Sequence, residues 1–212
     1  MTGKPTDDLE LAALIASKIC HDIVGPVGAI YNGIEVLDEG GDEKSRDYAL
    51  DIIRSSTETA SSKLKFARFA FGAAGSAGAT IDLGTAREIS EGYVGAGKHT
   101  ISWQAPGGHM AKDQVKLLLN LVAVAVTALP RGGEIAVSIS GSLQQPGFEI
   151  RCKGNGARLP QHLPEMLANP SAASPDSMTI QAYYVWRLTK ASGMPLDVRM
   201  DGAEVVISAR SG

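Results

Sequence analysis

Cysteine is scarce in this chain of 212 residues: only Cys20 and Cys152 occur, far apart and in dissimilar settings. Two such thiols support neither a disulfide framework nor a metal cluster, and both are expected to be small, buried, apolar residues. No block of Lys and Arg appears and the formal net charge is −3, which argues against a nucleic-acid binder that works by neutralising phosphates. The start, Met1 to Glu10, lacks an apolar signal core, and no uninterrupted apolar run of membrane-spanning length is present. A cytoplasmic protein with no membrane or nucleic-acid partner is expected. His99, His109 and His162 have no metal-ligand spacing with a cysteine or an acid, so they are expected at the surface and no metal site is expected.

What is present is enough to bury a core. The chain is 44% apolar and 20% charged, ordinary for a folded protein of one large or two small domains. Its most informative stretch is Ser17 to Leu37. Ile19, Ile23, Val27, Ile30, Ile34 and Leu37 recur at spacings of four, four, three, four and three, which is one face of a helix. His21 lies off that face, about 200° round the helix from it, and points to solvent. Asp22 follows, where an acid can hold the ring tautomer and take the proton released when a ring nitrogen attacks phosphorus. Pro26 comes one turn later. It costs the helix interior a backbone hydrogen bond with no evident packing benefit, which points to a bend kept for a purpose. A lone helical histidine is more often an inert surface residue, but these surroundings favour a functional one. The order His, acid, apolar, two residues, Pro resembles the phosphoacceptor box of two-component histidine kinases.

A helix is expected over Asp8 to Leu37, broken by Asp38 to Glu43, and a second over Lys44 to Phe71, despite serines and threonines that weaken its propensity. Together they make an antiparallel hairpin. One hairpin cannot cover its own apolar stripe, so two are expected to pair as a four-helix bundle in a symmetric homodimer. Gly72 to Thr80 is small and nearly uncharged and is expected to be a linker. This places a helical unit at residues 1–75 and a second unit at 80–212. The second should hold helices at Leu83 to Gly92, Lys112 to Leu129 and Ile180 to Ser192. Strands are expected at Thr100 to Trp103, Glu134 to Ser140, Gly147 to Lys153, Leu196 to Met200 and Glu204 to Ala209. The fold class is α+β: a helical hairpin followed by an α/β sandwich with an antiparallel sheet and helices on one face.

Gln114 to Asn120, followed by Pro130 to Ile135, resembles the framework of the ATP-binding domain of histidine kinases. In that family a helix carries Asn-x-x-x-Asn, whose second Asn helps hold magnesium. Asn120 matches the first, and Val124 stands at the second, with no ligand atom for a hard cation. In the family's Asp-x-Gly-x-Gly loop the Asp reads adenine. The corresponding stretch, Gly154 to Pro160, has Gly154 for the Asp and Arg158 for the second Gly. The glycine-rich lid gives way to Pro170 to Thr179, without a glycine. Asn120 is either a relic, the favoured reading, or a helix-packing residue.

The whole chain resembles ChpT-type histidine phosphotransferases of alphaproteobacteria. The resemblance implies that His21 accepts a phosphoryl group from the receiver domain of a CckA-like hybrid histidine kinase and passes it to CtrA-like and CpdR-like response regulators. It implies no cofactor on this chain, the magnesium being the receiver's. Asp22 orients the ring, and Lys18 either neutralises phosphate oxygens or is a solvated lysine. Val24, Gly25, Gly28 and Tyr31 form a partner-ready face of small and apolar groups. Gly25 stands where phosphatase-competent kinases carry Thr or Asn to hold water, so relay without efficient hydrolysis is expected. The competing readings are an active kinase with a divergent ATP site and a non-enzymatic dimeric adaptor of receiver domains.

Overall fold

The chain is seen in a computed structural model that describes residues 7–72, 78–95, 97–169, 175, 176 and 178–210. Its first helix, α1 (Asp8–Asp38), is capped by Asp7, whose carboxylate accepts the Glu10 amide at 2.8 Å. The helix continues through Pro26. The second, α2 (Glu43–Ala70), starts the same way. Asp42 accepts the Ser45 amide at 2.9 Å and its hydroxyl at 2.6 Å, and these bonds hold the exposed Asp42 carboxyl below its ordinary value. The serines and threonines of α2 do not break it, because Ser55, Thr57 and Thr59 donate their hydroxyls to carbonyls one turn back at 2.7 to 2.8 Å.

The two helices form an antiparallel hairpin and pack closely at Gly33. A Cβ there would sit 2.7 Å from Ile53 Cγ1 and 3.2 Å from the Ala49 carbonyl oxygen. Only part of the apolar stripe is covered: Ile19, Ile23, Ile30 and Leu37 are half-buried, while Val27 and Ile34 are exposed. By length and composition α1 is apolar enough to cross a membrane, its mean hydropathy reaching 1.4 over 18 residues. Ile19, Ile23, Ile30 and Leu37 are half-buried on the side that meets α2, together with Lys18 and Asp22, and His21 projects from the opposite side into solvent, which is the pattern of a bundle helix.

The rest of the chain builds a sheet layered with helices. Its elements are β1 (Thr80–Asp82), α3 (Leu83–Gly95), β2 (His99–Gln104), β3 (His109–Ala111), α4 (Lys112–Ala128), β4 (Gly133–Gly141), β5 (Pro146–Lys153), α5 (Leu163–Ala168), α6 (Ile180–Ser192), β6 (Leu196–Asp201) and β7 (Glu204–Arg210). Five strands lie in the order β2-β4-β5-β7-β6. Ile135, Val137, Phe148, Ile150, Cys152, Val205 and Ile207 are buried in one core with α4, and the intervening residues of β4 and β5 are half-exposed. One face is therefore covered by helices. On the other, Arg151 bonds Glu149 and Asp201 at 3.0 and 3.1 Å.

Four expectations need correction. β2 runs parallel to β4, so the sheet is mixed; α4 is the crossover that a parallel pair requires. The short β1 and β3, which pair antiparallel, and the six-residue α5 carry too few residues for a periodic signal and were not anticipated. Cys20 is exposed, because it shares the outer side of α1 with His21, whereas Cys152 is buried and its thiol is pushed up to about 12 by that burial. His99 and His162 are half-buried, the His99 Nε2 lying 2.9 Å from the Leu129 carbonyl oxygen, and only His109 is exposed as expected. Of the expected linker, residues 73–77 lie outside the described residues, and Thr80 already belongs to β1.

The close approach at Gly33 predicts that Gly33→Leu lowers stability by roughly 1–3 kcal/mol through overpacking. Chemical denaturation would measure it, and an unchanged midpoint would mean the two helices separate without cost.

Candidate functional site

α1 presents His21 almost entirely to solvent, its side chain 90% exposed. The neighbouring Asp22 carboxylate divides its oxygens. Oδ1 is 3.7 Å from His21 Nδ1, and Oδ2 accepts from Lys18 Nζ at 3.0 Å. Lys18 is thus not loose in solvent: it is the partner of Asp22. A second lysine, Lys63 of α2, reaches across the hairpin and donates to the Asp22 backbone carbonyl at 3.0 Å. No local pattern in the sequence marks Lys63. The available signal was indirect: Pro26 has no N–H to give the carbonyl four residues earlier.

Beneath Asp22 the hairpin meets the sheet domain. Phe66 of α2 stacks on Tyr93 of α3, ring centroids 3.9 Å apart and 22° between planes. Burial, and second the nearby Asp22 charge, push the Tyr93 phenol up to about 12, so it stays neutral at physiological pH. Lys18, Asp22, Lys63, Phe66 and Tyr93 line a crevice of about 10 Å³, room for at most one water.

Val24, Gly25, Gly28 and Tyr31 follow His21 by three, four, seven and ten residues, so the helix brings them to its side. Val24 and Tyr31 are 68% and 62% exposed, and a Cβ built at Gly25 or Gly28 would meet nothing within 4 Å. Among the described residues no packing requires glycine at either position.

In the sheet domain the positions corresponding to a kinase nucleotide site have other tasks. Asn120 is fully buried. Its Nδ2 donates to the carbonyls of Ala70 and Lys116 at 3.0 and 2.8 Å, and its Oδ1 accepts from Gln181 Nε2 at 2.7 Å. Of the two readings of Asn120, these bonds support the less favoured one, a residue that packs helices together. Val124 is buried and lines a cleft of about 160 Å³ with Thr127, Pro160, His162, Met178 and Gln181. A Cβ at Gly154 would lie 2.5 Å from the Gly132 carbonyl oxygen and 3.2 Å from Gly133 Cα. Position 154 therefore has no room for an adenine-reading carboxylate, and these residues do not fit a magnesium nucleotide. Most of the expected lid, residues 170–174 and 177, lies outside the described residues.

Residues 83–204 match the model of the histidine phosphotransferase C-terminal domain. The chain is also 41% identical over 202 residues to protein phosphotransferase ChpT of Brucella abortus (strain 2308), covering 95% of each protein. The chain belongs to the histidine phosphotransferase family. A solved structure of a bacterial phosphotransferase superposes with a TM-score of 0.88 at 38% identity, over 99% of this chain and 100% of that one. The family's activity, protein phosphotransfer, is this chain's activity, on a fold of helical hairpin and mixed sheet.

The crowding at Gly154 predicts that Gly154→Asp lowers the melting temperature and does not create nucleotide binding, because the carboxylate has no space to enter. Melting with and without magnesium ATP measures both effects; an ATP-dependent rise in the variant would show the pocket to be recoverable.

Proposed function

We propose that His21 is the phosphoacceptor of a relay between receiver domains. A receiver aspartyl phosphate presents its phosphorus to Nε2 of the ring. The N–P bond forms as the P–O bond to the aspartate breaks, the carboxylate leaves with the electron pair, and the reverse step on a second receiver frees the ring. The observation that carries this reading is a histidine 90% exposed with Nδ1 turned toward Asp22 Oδ1 at 3.7 Å. An acid on that side favours the proton on Nδ1 and leaves the Nε2 lone pair facing outward. Lys18, at 3.0 Å from Oδ2, keeps Asp22 in its orienting position.

Phosphoryl transfer of this kind depends on positioning and charge balance more than on covalent assistance. The receiver brings the magnesium, and this chain contributes the nucleophile and a docking face. Val24, Gly25, Gly28 and Tyr31 supply that face, apolar and low in relief, suited to the apolar rim of a receiver's acidic site. The donor is the receiver of a CckA-like hybrid kinase and the acceptors are CtrA-like and CpdR-like regulators in the cytoplasm. With no side chain at Gly25 to hold water, phosphate is relayed and not efficiently released. A second copy covers Val27 and Ile34, which are 50% and 44% exposed in one chain, giving a dimeric four-helix bundle. The helical unit at residues 1–75 and the unit at 80–212 divide these roles.

Labelled phosphate supplied on a prephosphorylated receiver is expected to appear on the parent chain and not on His21→Ala, and labelled ATP alone is expected to label neither. Label on His21→Ala, or label taken from ATP, overturns the proposal.

The docking face has its own test. Gly28→Ala is expected to raise stability by up to about 1 kcal/mol, since the helix gains propensity and the methyl meets nothing. Gly28→Trp is expected to slow transfer from the receiver by more than about tenfold with the fold intact, an interface loss above about 1.4 kcal/mol. Transfer at the parent rate in Gly28→Trp would move the docking face elsewhere.

A further inference from the structure

We propose that Lys63 is a positioning residue for phosphotransfer, standing in for the backbone donor that Pro26 removes from α1; the inference rests on His21 being the phosphoacceptor. In an uninterrupted helix the Asp22 carbonyl accepts the N–H of residue 26. Pro26 has no N–H, so that carbonyl loses its partner one residue from the phosphoacceptor. Lys63 Nζ, from 41 positions further along the chain, lies 3.0 Å from the same oxygen in a partly buried setting. An ammonium donor on a carbonyl in this setting is a charge-assisted bond, stronger than the amide bond it replaces.

Asp22 is consequently held twice. Lys18 fixes its carboxylate from within α1 at 3.0 Å, and Lys63 fixes its main chain from α2 at 3.0 Å. The first tie sets the oxygen that faces His21 Nδ1. The second sets the turn from which both side chains project. Phe66 and Tyr93 wall the crevice beside the Lys63 ammonium, which limits the water available to take its place. Without Lys63 the carbonyl tilts outward to find water, and it carries the Asp22 and His21 backbone with it. The puzzle of Pro26 then has an answer beyond a bend. By vacating one hydrogen bond, proline transfers control of the phosphoacceptor turn from α1 itself to α2.

The test is a double-mutant cycle on the full chain, read by melting temperature and by the rate of label transfer from a prephosphorylated receiver. Lys63→Met alone is expected to lower the melting temperature by about 3 °C and to slow transfer about tenfold. Lys63→Arg, which retains a donor, is expected to recover most of the rate. In a Pro26→Ala background residue 26 regains its N–H, and Lys63→Met is then expected to change the melting temperature by less than about 1 °C and the rate by less than about twofold. Equal losses in both backgrounds overturn the proposal and assign Lys63 to the phosphoryl group itself; no loss in either background overturns it as well. Coupled melting temperatures with no label on the parent chain support the Lys63 bond and overturn the phosphoacceptor reading, which separates the two failures.

Discussion

The side-chain amide of Asn120 joins three helices at one buried point. It satisfies the carbonyl of Ala70, the last residue of α2, which a helix end leaves without an internal partner. It also bonds the Lys116 carbonyl on its own helix and the Gln181 amide on α6. A fully buried amide loses about 1–3 kcal/mol for each partner left unpaired, so the angle at which α2 meets the sheet domain is tightly constrained. The remaining geometry follows from that angle. Phe66, one turn before Ala70, falls on Tyr93, and Lys63, nearly one turn earlier still, falls on Asp22. The residue that resembles half of a nucleotide motif therefore fixes the neighbourhood of His21.

What was legible in the sequence depended on a short-range period. The 3.6-residue repeat of Ile19, Ile23 and Ile30 places His21 outward whatever lies beyond, and its side chain is indeed exposed. The bounds of α1, α2, α4 and α6 were readable for the same reason, since long amphipathic or apolar runs end at marked caps and turns. What was not legible is non-local. Lys63 meets Asp22 across 41 positions and Asn120 meets Ala70 across 50, and nothing in the local pattern of either segment encodes the meeting. The parallel pairing of β2 with β4 is non-local in the same sense. Cys20 was misread for another reason: the expectation that cysteines are buried was applied without noting that Cys20 shares the outer side of α1 with His21.

The residues around His21 are poor choices for helix stability. Gly25, Pro26 and Gly28 occupy the interior of α1, where each glycine costs about 1 kcal/mol against alanine and the proline about 3. Neither glycine is explained by crowding, because a Cβ at either meets nothing, whereas Gly33 three turns on is explained by Ile53. Local sequence preference and local packing thus disagree over the turns that follow the histidine. Such disagreement is what a site shaped for an external partner produces. The helix persists because α2 supports it, by the packing at Gly33 and by the lysine that replaces proline's missing donor.

The misfit of these positions with a magnesium nucleotide is likewise built into the main chain and is not a matter of one exchanged side chain. Gly132, Gly133 and Gly154 pack backbone to backbone: a Cβ at Gly133 would lie 2.3 Å from the Lys153 carbonyl oxygen, and one at Gly154 2.5 Å from the Gly132 carbonyl oxygen. The strand pair β4 and β5 closes tightly at this end, and the space an adenine-binding carboxylate would need is taken by peptide. Restoring the acid would mean separating two strands in the middle of a five-stranded sheet. The sheet domain has a clear structural task. The bonds from Asn120 to α2, and the stack of Tyr93 on Phe66, show where it acts: it holds the helix that carries Lys63 against the turn that carries His21.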